Sequence, residues 1–243
     1  MNEVSAQAKR EEPRWGLREV VVALLQAVGL FILVSVIAIL TISLGFGSGR
    51  RADLVASFSA TAVFDLGLVV LSARVAARYA QLPMPLLGFR RPDGRSVGYA
   101  LLGLALVYAI LGAYLGVVSA TGLNALKPQS TVPSDAFQGP VTVLAAVLIL
   151  GLAPLCEETF FRGFLFAGLR RSFGVAGAAI SSGMLFAVLH FDKGSLIPFT
   201  LIGVLLALLY HRTGNLWTNV AVHFLFNLTS FVLAVAGLVL VHG

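Results

Sequence analysis

An all-α, polytopic bundle of about seven transmembrane helices is the fold this sequence predicts, and three observations predict it. Hydrophobic residues make up 58% of the 243 positions and charged residues 12%, against about 45–50% apolar and about 25% charged in soluble globular chains. The mean hydropathy is +0.93. The apolar residues also gather into runs of about twenty, the length a helix needs to cross a hydrocarbon core of about 30 Å.

Residues 1–19, with Lys9, Arg10, Arg14 and Arg18, read as a cytoplasmic N-terminal segment. The first span, 20–44, exceeds the roughly 7–15 residues of a signal-peptide core and lacks a cleavage site behind it, so it reads as an uncleaved anchor. Spans at 54–79 and 98–121 follow. Between them MPLLGFRRPDGR (84–95) reads as a cytoplasmic interfacial stretch, its apolar part in the headgroups and its arginines on anionic lipid. The fourth span, 141–171, would rise about 45 Å as a helix, so it must tilt, protrude or break. Pro154 is the expected break, because it lacks a backbone donor and clashes with the preceding turn. Spans at 174–191, 195–211 and 216–241 complete the count. Trp15 and Trp217 read as headgroup anchors, and His211 and His242 sit at span ends.

The net charge of +6 would suggest nucleic acid in a soluble chain. Here the basic residues occupy short loops, so they mark topology and contact with the lipid bilayer, and no nucleic-acid partner is expected. With the N-terminus in the cytoplasm, twelve Lys and Arg residues fall inside and four (Arg50, Arg51, Lys127 and Lys193) outside, Arg162 being set aside as intramembrane. This bias places the C-terminus outside. Cys156 is the single cysteine, so no internal disulfide can form.

Within 141–169, VTVLAAVLILGLAPLCEETFFRGFLFAGL, stand Glu157, Glu158 and Arg162. A carboxylate at bilayer depth costs roughly 2.5–3.5 kcal/mol on insertion scales, and such residues face a bundle interior or a watery cavity. Glu158 and Arg162 have the i, i+4 spacing of an intrahelical ion pair. Glu157 points about 100° away. Phe186 and His190 share one face of the fifth span, and His223 and Asn227 one face of the seventh. Counted from the turn near Ser172–Phe173, Glu157 and His190 lie at a similar depth, roughly 20–25 Å. Two histidines and a glutamate are a ligand set for a catalytic zinc ion. Alternatively, a glutamate and a histidine activate water directly. In either case a His–Asn pair can donate hydrogen bonds to an oxyanion. Cys156 could act as a nucleophile, although buried cysteines are usually inert. Asp65 in the second span could pair with a buried group or line the cavity.

EETFFR (157–162), FAVLH (186–190) and HFLFN (223–227) together resemble three motifs of the type II CAAX prenyl endopeptidases and their bacterial relatives, the abortive-infection or bacteriocin-processing proteins. The resemblance covers about residues 140–230. It divides the chain into N-terminal spans without a motif (20–139) and C-terminal spans carrying the motifs (140–243). It implies an intramembrane endopeptidase of the bacterial inner membrane acting on a membrane-associated protein or peptide. Glu157 and His190 would activate water, His223 and Asn227 would form the oxyanion site, and Glu158 and Arg162 would be support or secondary participants. The family is commonly labelled metalloprotease, which makes Glu157, His190 and His223 candidate zinc ligands. Metal-independent activation is preferred, since Asn227 is a poor zinc ligand. The reading from another class is a non-catalytic immunity or regulatory protein that keeps the fold. A transporter is a third, disfavoured by first and third spans that offer no ion path.

Overall fold

The computed structural model describes residues 15–45 and 49–237, and no strand occurs among them. Seven helical segments build the bundle: α1 (Leu17–Ser43), α2 (Arg50–Ala76), α3 (Gly94–Thr121), α4 (141–173), α5 (175–188), α6 (Leu196–Thr213) and α7 (Leu216–Val235). Six stretches of the described residues are long and apolar enough to cross a membrane, 141–188 counting as one. That run is not a single rod. Gly174 has φ 66° and ψ −176°, which no helix tolerates, and Ser182 Oγ donates to the carbonyl of Phe161 at 3.0 Å. In a straight helix those residues would stand about 31 Å apart, so α4 and α5 form an antiparallel hairpin. The expected span limits are met to within a few residues up to 237. His242, Lys9, Arg10 and Arg14 lie outside the described residues.

Local chemistry sets the helix ends. The Asp93 carboxylate accepts from the Ser96 backbone at 2.9 Å and caps α3, which ends at left-handed Gly122. The RTGN turn works in the same way. Gly214 closes α6 with φ 61°, and Asn215 opens α7 by accepting from the Trp217 backbone at 3.0 Å.

Pro154 does not break α4, contrary to expectation. Backbone angles stay helical at each junction, and π-type stretches at Val147–Leu152 and Thr159–Phe166 flank an α-helical turn at Ala153–Glu158. In π geometry a donor reaches five residues back, so the donor Pro154 lacks leaves the carbonyl of Ile149 free. Asn227 Nδ2 donates to that carbonyl at 2.8 Å, which ties α7 to α4.

The tightest core lies at the end of the bundle where α4 finishes. Trp15, Phe160, Phe164, Phe166, Leu87 and Leu216 are buried there. Trp15 is therefore not a headgroup anchor. It is 0% exposed, stacks on Phe164 with centroids 5.8 Å apart, and donates from Nε1 to the Phe164 carbonyl at 3.0 Å. Gly168 admits it, since a Cβ there would meet the indole at 2.6 Å. Trp217 remains exposed, edge-on to Phe89. Within the 84–95 stretch Leu87 is buried, its carbonyl accepts from Tyr210 Oη, and the Gly88 carbonyl accepts from the Leu216 backbone, while Met84, Pro85 and residues 91–95 stay exposed. Large side chains such as Leu25, Ile39, Val97 and Leu101 point outward, a surface suited to lipid.

Candidate active site

The bundle encloses a cavity of about 1070 Å³. Glu157 of α4, His190 just beyond α5, and His223 and Asn227 of α7 all line it, as does Asp65 of α2. Three sequence motifs on separate elements thus reach one space. The α4–α5 hairpin lets both Glu157 and His190 line the cavity. The α5–α6 crossing holds that hairpin close, because Gly183 and Gly203 meet face to face: a Cβ on Gly203 would lie 2.6 Å from the Gly183 Cα.

Glu158 and Arg162 do not line the cavity. They sit behind it, both fully buried, and form the expected pair at 2.9 Å. The Arg162 guanidinium also lies 4.5 Å from the centroid of the Phe186 ring, a cation–π contact that compensates part of its desolvation. Glu158 does more than anchor Arg162. The same Oε1 lies 2.9 Å from His223 Nδ1, and Asn219 Nδ2 donates to Oε2 at 3.4 Å. Asn219 also donates to the Leu206 carbonyl at 2.7 Å. Asn219, His223 and Asn227 therefore form one polar stripe at four-residue spacing along α7. Sequence reasoning missed Asn219, although its i, i+4, i+8 relation to the other two was a visible signal.

Each histidine is oriented by its Nδ1. His190 Nδ1 is 2.8 Å from the Phe186 carbonyl, and a carbonyl only accepts, so Nδ1 carries the hydrogen and Nε2 of the neutral ring keeps its lone pair. His223 Nδ1 faces a carboxylate, which likewise places a hydrogen on that nitrogen. The Phe186 ring separates the two, 4.7 Å from His190 and 6.0 Å from His223 between centroids. Phe199 meets the His190 ring edge-on at 4.7 Å.

Among the described residues two carboxyls remain without a protein hydrogen bond at a buried oxygen: Oε2 of half-buried Glu157 and Oδ2 of Asp65, which is 4% exposed. An acceptor left so at depth is costly unless water or a ligand meets it. Asp65, on a span that carries no motif, is thus part of the cavity. Cys156 is buried and does not line it. Among the described residues no three His, Cys, Asp or Glu side chains converge closely enough to hold a metal ion, so Glu157, His190 and His223 do not form the zinc triad entertained from the sequence.

Residues 139–229 match the family model of Rce1-like type II CAAX prenyl endopeptidases. The matched segment contains all six motif residues and α4 to α6, whereas Asp65 lies outside it. The chain is also similar to the Bacillus subtilis (strain 168) protein named "Putative membrane peptidase YdiL", at 25% identity over 136 residues, 52% of this chain and 55% of that protein. The alignment thus spans about half the length of that curated relative. No solved structure matches. The three motifs of the matched segment meet at the cavity, and the N-terminal spans supply the opposite wall through Asp65, Phe64 and Leu68.

Proposed function

We propose that this integral membrane protein is an intramembrane endopeptidase that hydrolyses a peptide bond of a membrane-associated protein or peptide with activated water. The observation that carries the reading is the convergence of Glu157, His190, His223 and Asn227 on one cavity from three separate elements. The match of residues 139–229 to prenyl endopeptidases supports it.

Glu157 is the general base. Its unsatisfied oxygen takes a proton from water while His190 Nε2 accepts the second hydrogen and aims the nucleophile. The hydroxide adds to the scissile carbonyl. Asn227 Nδ2 gives one hydrogen to Ile149 and offers its other to the oxyanion. His223, oriented through Nδ1 by Glu158, faces the same oxyanion position with Nε2. Collapse of the tetrahedral adduct returns the proton from Glu157 to the leaving amine, giving a free carboxylate and a new N-terminus. Glu158 and Arg162 position His223 rather than touch substrate.

The test is N-terminal proteomics of membranes from matched cells expressing the wild type or Glu157→Ala. New termini present only with the wild type support hydrolysis. Identical terminus sets would end the assignment.

A further inference from the structure

The residues that line the cavity gather toward one end of the bundle. Its lining includes Ser57 and Thr61 from the first half of α2, Leu115 from the last half of α3, Ser130 and Thr131 from the α3–α4 loop, and Ser230 near the end of α7. No residue of 69–106, 162–185 or 207–221 lines it. Those absent ranges build the opposite end, where the buried aromatic core closes the bundle. The open end is framed by the 127–132 loop. Its Gln129 backbone donates to Asp192 Oδ2 at 2.9 Å. It also lies so close to Gly194 that a Cβ there would meet the Lys127 carbonyl at 2.2 Å.

The two ends differ in charge. Arg18, Arg74, Arg78, Arg90, Arg91, Arg95, Arg170, Arg171 and Arg212 all belong to the closed end. Among the described residues the open end has Arg50, Arg51, Lys127 and Lys193. Lys and Arg excess in short loops marks the cytoplasmic side. The closed end is therefore cytoplasmic and the open end faces away from the cytoplasm.

We infer that the cavity takes its substrate from the non-cytoplasmic side, and that the substrate class is an exported or membrane-inserted polypeptide whose cleavage site lies in or above the outer leaflet. A cytosolic polypeptide would meet the buried aromatic core at the other end. The inference rests on the endopeptidase reading for the act of cleavage, and on the cavity and the charge pattern alone for the side. The volume of about 1070 Å³ lies just above the range of small-molecule sites, about 300–1,000 Å³, and its walls of Phe31, Val34, Leu111 and Phe226 suit apolar side chains of an extended segment.

Two arms test it with the full chain in the membrane of a bacterial expression host. In a Cys156→Ser background, Ser130→Cys and Thr61→Cys should react with a membrane-impermeant maleimide in intact cells. Gln81→Cys, at the closed end, should react only after permeabilisation, with at least a tenfold difference between them. Reversed labelling overturns the sidedness, and failure of Thr61→Cys to react even after permeabilisation overturns the open shaft. In the second arm, termini that depend on Glu157 should map to non-cytoplasmic segments. Termini confined to cytoplasmic segments overturn the inference and leave the protease reading standing. Labelling as expected with no Glu157-dependent termini overturns the protease reading and the substrate class with it, and leaves the side of the cavity in place.

Discussion

Arg162→Met isolates what the buried charge network contributes. The guanidinium is fully buried, bonded to Glu158 at 2.9 Å and faced by Phe186 at 4.5 Å. Methionine keeps most of the stem volume and removes the charge, which leaves the Glu158 carboxylate buried with His223 and a long contact from Asn219. Breaking one side of a buried ion pair costs about 3–5 kcal/mol, because the remaining charge is uncompensated. The lost cation–π contact adds about 0.5–2 kcal/mol. At about 2–4 °C per kcal/mol for a chain of 150–250 residues, the midpoint in detergent should fall by roughly 7–28 °C. Glu158→Gln in the same chain removes the orphaned charge, so the double variant should recover at least half of that loss. The assay is thermal unfolding of single and double variants under one detergent condition. A single variant within about 2 °C of the wild type, or a double variant as unstable as the sum of the singles, would show that Arg162 and Glu158 are not coupled and refute the positioning role.

Gly203→Val should fold poorly, since its Cβ would meet the Gly183 backbone at 2.6 Å, whereas Gly112→Ala, with open space around it, should keep the wild-type midpoint. Partial burial pushes the Asp192 carboxyl up, but hydrogen bonds from the Ser195 hydroxyl and from the backbones of Gln129, Gly194 and Ser195 outweigh it, so its pKa falls below its ordinary 3.8. Because the folded value is the lower one, the stabilisation is complete above 3.8 and fades as pH drops through the folded value. Amide exchange at Gln129, corrected for its intrinsic rate, should therefore rise with acidification below 3.8 in the wild type, and Asp192→Asn should exchange fast throughout. Protein purified without added metal should contain well under one zinc per chain by mass spectrometry and retain most activity in chelator. One tight zinc whose removal and return switches activity would assign the water to a metal instead.

Much of the site was legible because intramembrane charge is expensive. Glu157, Glu158, Arg162, His190, His223 and Asn227 stood out against apolar runs, and depth counting placed Glu157 and His190 together. What misled were residues whose role depends on a neighbour far along the chain. Trp15 reads as an interfacial anchor until Gly168, 153 residues later, is seen to leave it a socket. Pro154 reads as a break because an α-type ladder was assumed, whereas π turns and Asn227 accommodate it. His223 reads as an oxyanion partner of Asn227 and as a candidate metal ligand, whereas its bond to Glu158 depends on how α7 faces α4. Asp65, a single acid on a span without a motif, had no partner in the sequence to give it weight, and only the cavity does so.

The central claim is that Glu157 and His190 activate the water that cuts the peptide bond. It is tested most directly by measuring hydrolysis of one membrane protein, identified by its Glu157-dependent terminus, with purified wild type, Glu157→Ala, His190→Ala and Cys156→Ser, each shown to be folded by its unfolding midpoint. Loss of at least 10²-fold in both water-activating variants, with Cys156→Ser unchanged, is the predicted result. Wild-type hydrolysis by folded Glu157→Ala or His190→Ala would contradict it.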